Sequence, residues 1–303
     1  MTKHLVLTGG AGFIGSHTVE HVLKNTDWRI TVIDRLTYAG NLNRLTDIDI
    51  WEKERGRVKF VYHDFRSELD PHMVEPADYF IHMGAESHVD RSLYDPALFA
   101  QSNVLGTINM MQLSSKLGAE KFIQVSTDEV YGAMYDGRAH KEGEPHRPSN
   151  PYAASKAAAE DFVYAFWKSY NMPVVISNTM NNFGERQDIE KFIPRTIRSI
   201  LQGEPVVVHV RKDQSGATVD VSSRCWLHAR NHADALLFLL KNGIPGERYN
   251  VVGKLRDVRQ IAEFIAHTIG KPINIREEDF HSFRRGHDMH YGLDGSRLAA
   301  MGW

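Results

Sequence analysis

Two segments carry residue types that can act together. Ser126-Thr127-Asp128-Glu129-Val130-Tyr131-Gly132 places two carboxylic acids side by side, and Tyr152-Ala153-Ala154-Ser155-Lys156 places a tyrosine and a lysine at i, i+4. On a helix, that spacing puts the two side chains on neighbouring turns. A lysine there favours the phenolate, making the tyrosine a usable base near neutral pH. The acid pair adds proton transfers that simple alcohol oxidation does not need, so the combination points to oxidation that makes an elimination feasible. Each segment alone has a plainer reading. Tyr-x-x-x-Lys recurs by chance in helices, and Asp128-Glu129 would suit a surface turn.

The chain opens on a second feature, Thr8-Gly9-Gly10-Ala11-Gly12-Phe13-Ile14-Gly15. It follows a short apolar run and precedes a helical pattern. In that context backbone N–H groups and a helix N-terminus meet a pyrophosphate. The spacing is one residue longer than the G-x-G-x-x-G fingerprint, and a tight strand–helix turn without ligand is the plain alternative. Asp34 shifts the balance. It ends the second strand about 20 residues on, where a carboxylate accepts from a ribose 2′-hydroxyl and repels a 2′-phosphate. The expected cofactor is NAD. Arg35 is either a phosphate contact or a solvated charge.

The elements that must position these groups follow from the apolar pattern. Strands are expected at Leu5–Thr8, Arg29–Asp34, Val58–Tyr62, Asp78–Met83, Lys121–Ser126 and Pro173–Ser177, and helices at Ser16–Leu23, Asn103–Lys116 and Tyr152–Tyr170. This alternation predicts an α/β fold, a doubly wound parallel (Rossmann) sheet. The pattern changes after Asn182. Phe192–Gln202, Ala229–Lys241 and Arg259–Ile269 read as helices and Val206–Val210 as a strand, while the polar stretch Arg211–Ser223 has no clear period. The expected organisation is an NAD-binding domain over 1–180, with 219–250 returning to it. A smaller mixed, mainly substrate-binding region spans 181–303.

Composition narrows the class. The 303 residues are 42% hydrophobic and 24% charged, with a net charge of −2, ordinary for a globular enzyme and unlike a nucleic-acid binder. One cysteine, Cys225, leaves no internal disulfide framework. The sixteen histidines are scattered, so no metal is expected. No apolar run approaches a membrane span. Met1–Leu7 reaches the glycine loop too early for a signal peptide, so a cytoplasmic setting is expected.

With these residues in view, the chain resembles the extended short-chain dehydrogenase/reductases and, among them, the nucleotide-sugar 4,6-dehydratases. The likeness runs from Thr8 almost to Trp303, through Leu36–Asn41, Ala85–Ser92, Ser126–Gly132, Asn150–Lys156, Asn181–Gly184, Tyr249–Val251 and Arg284–Asp288. The resemblance implies NAD contacts at Gly9, Gly12, Phe13, Ile14, Gly15, Asp34, Thr37, Asp64, Phe65, Ala85, Ser102, Tyr152, Lys156 and Asn182. It implies contacts to a nucleoside-diphosphate sugar at Ser87, Thr127, Asn181, Lys191, Arg224, Asn250, Arg284 and His287. It also implies catalysis by Thr127, Asp128, Glu129, Tyr152 and Lys156.

In the implied reaction Tyr152 takes the C4 hydroxyl proton, Glu129 removes the C5 proton and Asp128 protonates the departing C6 hydroxyl. Thr127 donates to O4. Members usually pair through long helices, so the aromatic residues Phe162, Tyr164, Phe166, Trp167 and Tyr170 are either core or the seam of a homodimer. Met110-Met111 reads as core or interface packing.

Three segments depart from the family pattern. Glu185-Arg186-Gln187 stands where a proline and an aromatic are usual, Arg211–Ser223 is longer than the family loop, and the chain stops at Met301-Gly302-Trp303. The rival readings are a 4-epimerase or decarboxylase of the same fold, a simple alcohol dehydrogenase, and a non-catalytic NAD-binding protein. An epimerase has no use for an acid pair.

Overall fold

Apolar runs rich in Val, Ile and Phe form strands buried from both sides, as parallel sheets require. The structure, a computed structural model, describes residues 2–134, 137–280 and 286–303. Seven parallel strands make the main sheet: β1 (His4–Thr8), β2 (Arg29–Asp34), β3 (Val58–Tyr62), β4 (Tyr79–His82), β5 (Lys121–Thr127), β6 (Val174–Thr179) and β11 (Arg248–Val251). Their order is β11-β6-β5-β4-β1-β2-β3. The order reverses around β1, the switch point where such sheets bind ligands.

Helices α1 (Phe13–Asn25), α2 (Asn43–Thr46), α3 (Trp51–Glu54), α4 (Val89–Tyr94), α5 (Pro96–Phe99), α6 (Gly106–Lys116) and α7 (Pro151–Tyr170) connect the strands up to β6. One face of the sheet packs Leu5, Leu7, Val32 and Ile81 against Val19 and Val22 of α1. The other packs Val6, Ile33 and Phe80 against Met110 and Met111 of α6, so the methionine pair is core. Asn150 caps α7, its Oδ1 accepting from Ala153 N at 2.8 Å, and Pro151 takes the first turn, where its missing N–H costs nothing.

Beyond β6 the chain leaves the sheet. β7 (Asn181–Phe183), β10 (Ser223–His228) and β12 (Lys254–Asp257) form one small sheet, and β8 (Val206–Lys212), β9 (Thr218–Val221) and β13 (Ile275–Asp279) another. Helices α8 (Phe192–Gln202) and α10 (Val258–Ile269) cover the latter through Ile200, Val206, Val208, Ala262 and Ile265. Between these pieces α9 (Ala229–Asn242) comes back to pack on α1, and β11 pairs in parallel with β6.

Two segments differ from the sequence-based expectation. Arg211–Ser223 is largely a β8–β9 hairpin whose turn is held by Asp213, its Oδ1 accepting from Ser215 N at 2.9 Å and Ala217 N at 3.0 Å. Most of its residues face solvent, so no buried alternation marks it. The helical run expected from Asn103 begins at Pro96 and passes through a π-helical stretch, Ala100–Leu105. That stretch breaks the 3.6-residue period, so only the regular part is visible in sequence. No helix among the described residues is long and apolar enough to cross a membrane.

Candidate active site

The C-terminal ends of β1, β2, β4, β5 and β6 open into one cleft of about 640 Å³, which runs from the glycine loop to β10 and His287. At the β1 end, Gly9 has φ +73, and a Cβ on Gly15 would stand 2.1 Å from Gly9 O. The loop is therefore closed too tightly for a side chain, which lets a ligand meet bare backbone. Helix α1 starts at Gly12 without a side-chain cap, leaving its first-turn N–H groups directed at the cleft.

Asp34, buried at the tip of β2, accepts from Ala11 N at 3.1 Å and Leu36 N at 2.8 Å. The glycine cradle, an uncapped helix and this fixed carboxylate suit a dinucleotide. Arg35 is neither solvated nor free for a 2′-phosphate. It is bound to Glu86 at 2.5 Å and Asp64 at 3.2 Å, with 11% of its side chain exposed.

The reactive end is built on β5. Thr127 ends the strand, and a 3-10 turn, Asp128–Tyr131, follows. The Thr127 hydroxyl accepts from Glu129 N at 3.3 Å and donates to Asp128 Oδ1 at 3.1 Å. Asp128 is 4% exposed, and its Oδ2 is buried with no hydrogen-bond partner. Burial first, and then the neighbouring Glu129 charge, push Asp128 up to about 7. Glu129 Oε2 accepts from Asn150 Nδ2 at 3.0 Å, and the same amide donates to Gly286 O at 2.9 Å. Asn150 thus ties the acid turn to the helix that presents Tyr152. In the sequence the mark of this role is the Asn-Pro pair that opens a helix.

Tyr152 and Lys156 both line the cleft, one turn apart on α7. Their relation differs from the expectation. Lys156 Nζ donates to Val125 O at 2.7 Å, and burial pushes the lysine down to about 8. Burial and the Glu129 charge raise the Tyr152 phenol, and the Thr127 hydroxyl opposes them. In this arrangement the protein alone favours neutral phenol, because burial and the Glu129 charge outweigh the Thr127 hydroxyl.

Most of the other expected contacts line the same cleft: Phe13, Ile14, Thr37, Phe65, Ala85, Ser87, Asn181, Asn182, Lys191, Arg224 and His287. Three do not. Asn250 is fully buried beside β6, its Nδ2 donating to His140 O and Asp294 O, both at 3.1 Å. It joins strands and loops rather than facing substrate. Asp64 pairs with Arg35 and Arg66, and Ser102 lies buried 3.5 Å from Arg35; neither lines the cleft. Arg284 lies outside the described residues. Arg224 stacks over Tyr291, 4.6 Å from the ring centroid, and spends its fork on the carbonyls of Ser223, Asp288 and Met289.

One group was missed altogether. Arg44 donates to Arg186 O at 3.0 Å and to Ala39 O, and Arg186 in turn binds Glu20 and His17 of α1. The Glu185-Arg186-Gln187 departure is therefore a clasp between the outer segment, the 36–44 loop and the pyrophosphate-facing helix.

A glycine cradle at the switch point, an acid ending β2 and Tyr-x-x-x-Lys beside the end of β5 define an extended short-chain dehydrogenase/reductase that uses NAD. The family profile described as GDP-mannose 4,6 dehydratase matches residues 6–293, and the chain belongs to that family of nucleotide-sugar 4,6-dehydratases. It is 37% identical to a dTDP-glucose 4,6-dehydratase of Neisseria gonorrhoeae, over 99% of this chain and 90% of that protein. It is 35% identical to the low-salt glycan biosynthesis protein Agl12 of Haloferax volcanii, over 99% and 92%. Its fold matches DesIV, a dTDP-glucose 4,6-dehydratase of Streptomyces venezuelae solved with NAD and TYD, at TM-score 0.85 and 33% identity, covering 98% of this chain and 90% of that one. A Thermus thermophilus UDP-glucose 4-epimerase solved with NAD matches at TM-score 0.84 and 29% identity, covering 99% and 93%.

Proposed function

We propose that this chain converts dTDP-glucose to its 4-keto-6-deoxy form, with Thr127, Asp128, Glu129, Tyr152 and Lys156 as its catalytic groups. The observation that carries the reading is the split between two adjacent acids. Asp128 is buried and pushed up to about 7, so it holds a proton near neutrality, while Glu129 faces an amide donor, Asn150 Nδ2. Environments that separate two carboxyls mark out an acid and a base. An epimerase of this fold needs no such pair.

The roles follow from position. Tyr152 takes the proton of the C4 hydroxyl as its phenolate, a form that the positive charges of Lys156 and of bound NAD would favour against burial and Glu129, and Thr127 donates to O4. Lys156, anchored on Val125 O, supplies positive charge beside the tyrosine and the nicotinamide ribose. Glu129 removes the C5 proton made acidic by the C4 ketone, and Asp128 protonates the departing C6 oxygen. NAD, when bound, supplies a hydride acceptor at C4 and the same hydride for C6. Gly9, Gly12, Phe13, Ile14, Gly15 and Asp34 would hold it.

The exposed aromatic face of α7, where Phe162 is 43%, Tyr164 44% and Tyr170 72% exposed, supports a homodimer. The free, buried Cys225 supports a reducing, cytoplasmic setting. The test is mass spectrometry of reactions with dTDP-glucose and with UDP-glucose, with reduced-nicotinamide absorbance followed in parallel. Loss of one water without net reduced cofactor is expected, faster with dTDP-glucose. An isomer of unchanged mass would replace this reading with an epimerase, and net reduced cofactor would replace it with a simple dehydrogenase.

A further inference from the structure

A buried ion cluster lies behind the acid-bearing turn, and the chemistry above makes no use of it. Glu160, one helical turn beyond Lys156, is fully buried. Its Oε1 accepts from Asn178 Nδ2 at 2.6 Å, and that amide also donates to Thr127 O at 3.3 Å. Its Oε2 stands 3.0 Å from Arg248 Nε on β11 and 3.3 Å from His146 Nε2. The His146 ring packs edge-on against Tyr131 at 6.2 Å between centroids. The cluster therefore touches both ends of the Asp128–Tyr131 turn, the Thr127 carbonyl at its start and the Tyr131 ring at its close.

Stability alone is a poor reason for such a group. A buried ion pair gains little over apolar side chains of the same volume, because desolvation offsets the attraction. What a buried ion cluster, anchored by the Glu160–Asn178 hydrogen bond, does supply is one geometry, since each charge loses its partner if another moves. The turn needs that. The two acids must reach different atoms of one sugar, and an ångström of error in such placement costs orders of magnitude in rate.

We propose that Glu160, with Arg248 and His146, is a positioning residue that fixes the acid turn for the elimination step. The inference rests on the roles proposed for Asp128 and Glu129. It makes Glu160 selective among steps. C4 oxidation depends on Tyr152 and Lys156, whose places on α7 the cluster does not set although the Glu160 charge raises Lys156, whereas elimination depends on the turn.

The test replaces the pair by apolar residues of similar shape, Glu160→Met with Arg248→Met. The double variant is expected to keep its Tm, its NAD content and its KM, while turnover falls about 10- to 100-fold. In a single turnover it is expected to accumulate near-ultraviolet absorbance of reduced nicotinamide that the parent does not show. His146→Gln, which leaves Glu160 and Arg248 in place, gives the same signature more weakly and serves if the double variant does not fold.

Parental turnover without accumulation, or turnover that falls together with NAD content and KM, overturns the positioning role. Failure of the underlying reading looks different. There Asp128→Asn would lose water from the substrate at the parental rate, whatever Glu160 does.

Discussion

Replacing Asp128 by Asn tests the acid assignment through stability as well as rate. Asn has nearly the same shape and cannot ionise. In the parent, Asp128 is pushed from the ordinary 3.8 to about 7 by burial and by Glu129. The unfolded chain therefore loses this proton near pH 4, and the folded chain keeps it until about pH 7. Over that window the native state binds more protons than the unfolded state, so rising pH removes stability from the parent. The full penalty, reached above pH 7, is about 4 kcal/mol at about 1.4 kcal/mol per pH unit.

Between pH 5 and pH 8 the Asn variant should gain about 3 kcal/mol on the parent. Urea unfolding of both proteins at the two pH values reads this, since titrating groups remote from Asp128 cancel in the difference. Turnover should fall about 100- to 10,000-fold, the usual worth of a positioned general acid. A stability difference that stays flat from pH 5 to pH 8 would refute the claim that burial holds the proton. Parental turnover would refute the claim that the proton is used.

Glu129→Gln should slow turnover by about 100- to 10,000-fold while leaving C4 oxidation intact. The check is solvent deuterium entering C5, which should all but cease. Gly15→Ala puts a Cβ 2.1 Å from Gly9 O; the protein should purify with at least about tenfold less NAD and lose about 1–3 kcal/mol of stability. His232, fully buried on α9 with neither ring nitrogen partnered, is pushed down to about 4 by burial. Its unfolded form takes up a proton below about pH 6.5 and the native form does not, so stability is lost as pH falls from 6.5 towards 4. His232→Leu should recover about 2 kcal/mol at pH 5 relative to pH 8 in urea unfolding.

The parts readable from sequence were those governed by local rules. β1, β2, β5 and β6 are apolar runs bounded by turns, the glycine loop sits between a strand and a helix, and the acid pair follows a strand end. What escaped depends on contacts far apart in the chain. Arg44 has no local mark to join it to Arg186, and Asn178 looks like any strand residue until Glu160 reaches it from α7. Asn250 matches a family segment, yet its amide serves two backbone carbonyls inside the fold. Asp64 and Ser102 follow the pattern too, but both lie against Arg35, which lines the cleft where they do not. In each case residue type was legible while the partner was not, because a partner is set by topology.

The late arrival of β11 has a consequence for how the protein is made. The dinucleotide-binding sheet is not a contiguous stretch of chain, since its seventh strand and the helix on α1 are supplied only by residues 229–251. On the ribosome, residues 1–180 emerge with β6, a wholly buried parallel strand, as an unpaired edge and with the α9-facing side of α1 uncovered. Such an edge templates pairing with other chains. Until residue 251 is out of the exit tunnel, the nascent protein is a sheet awaiting its margin, and it is then most in need of a chaperone. For the same reason a fragment cut at residue 180 should be recovered as aggregate rather than as a cofactor-binding module.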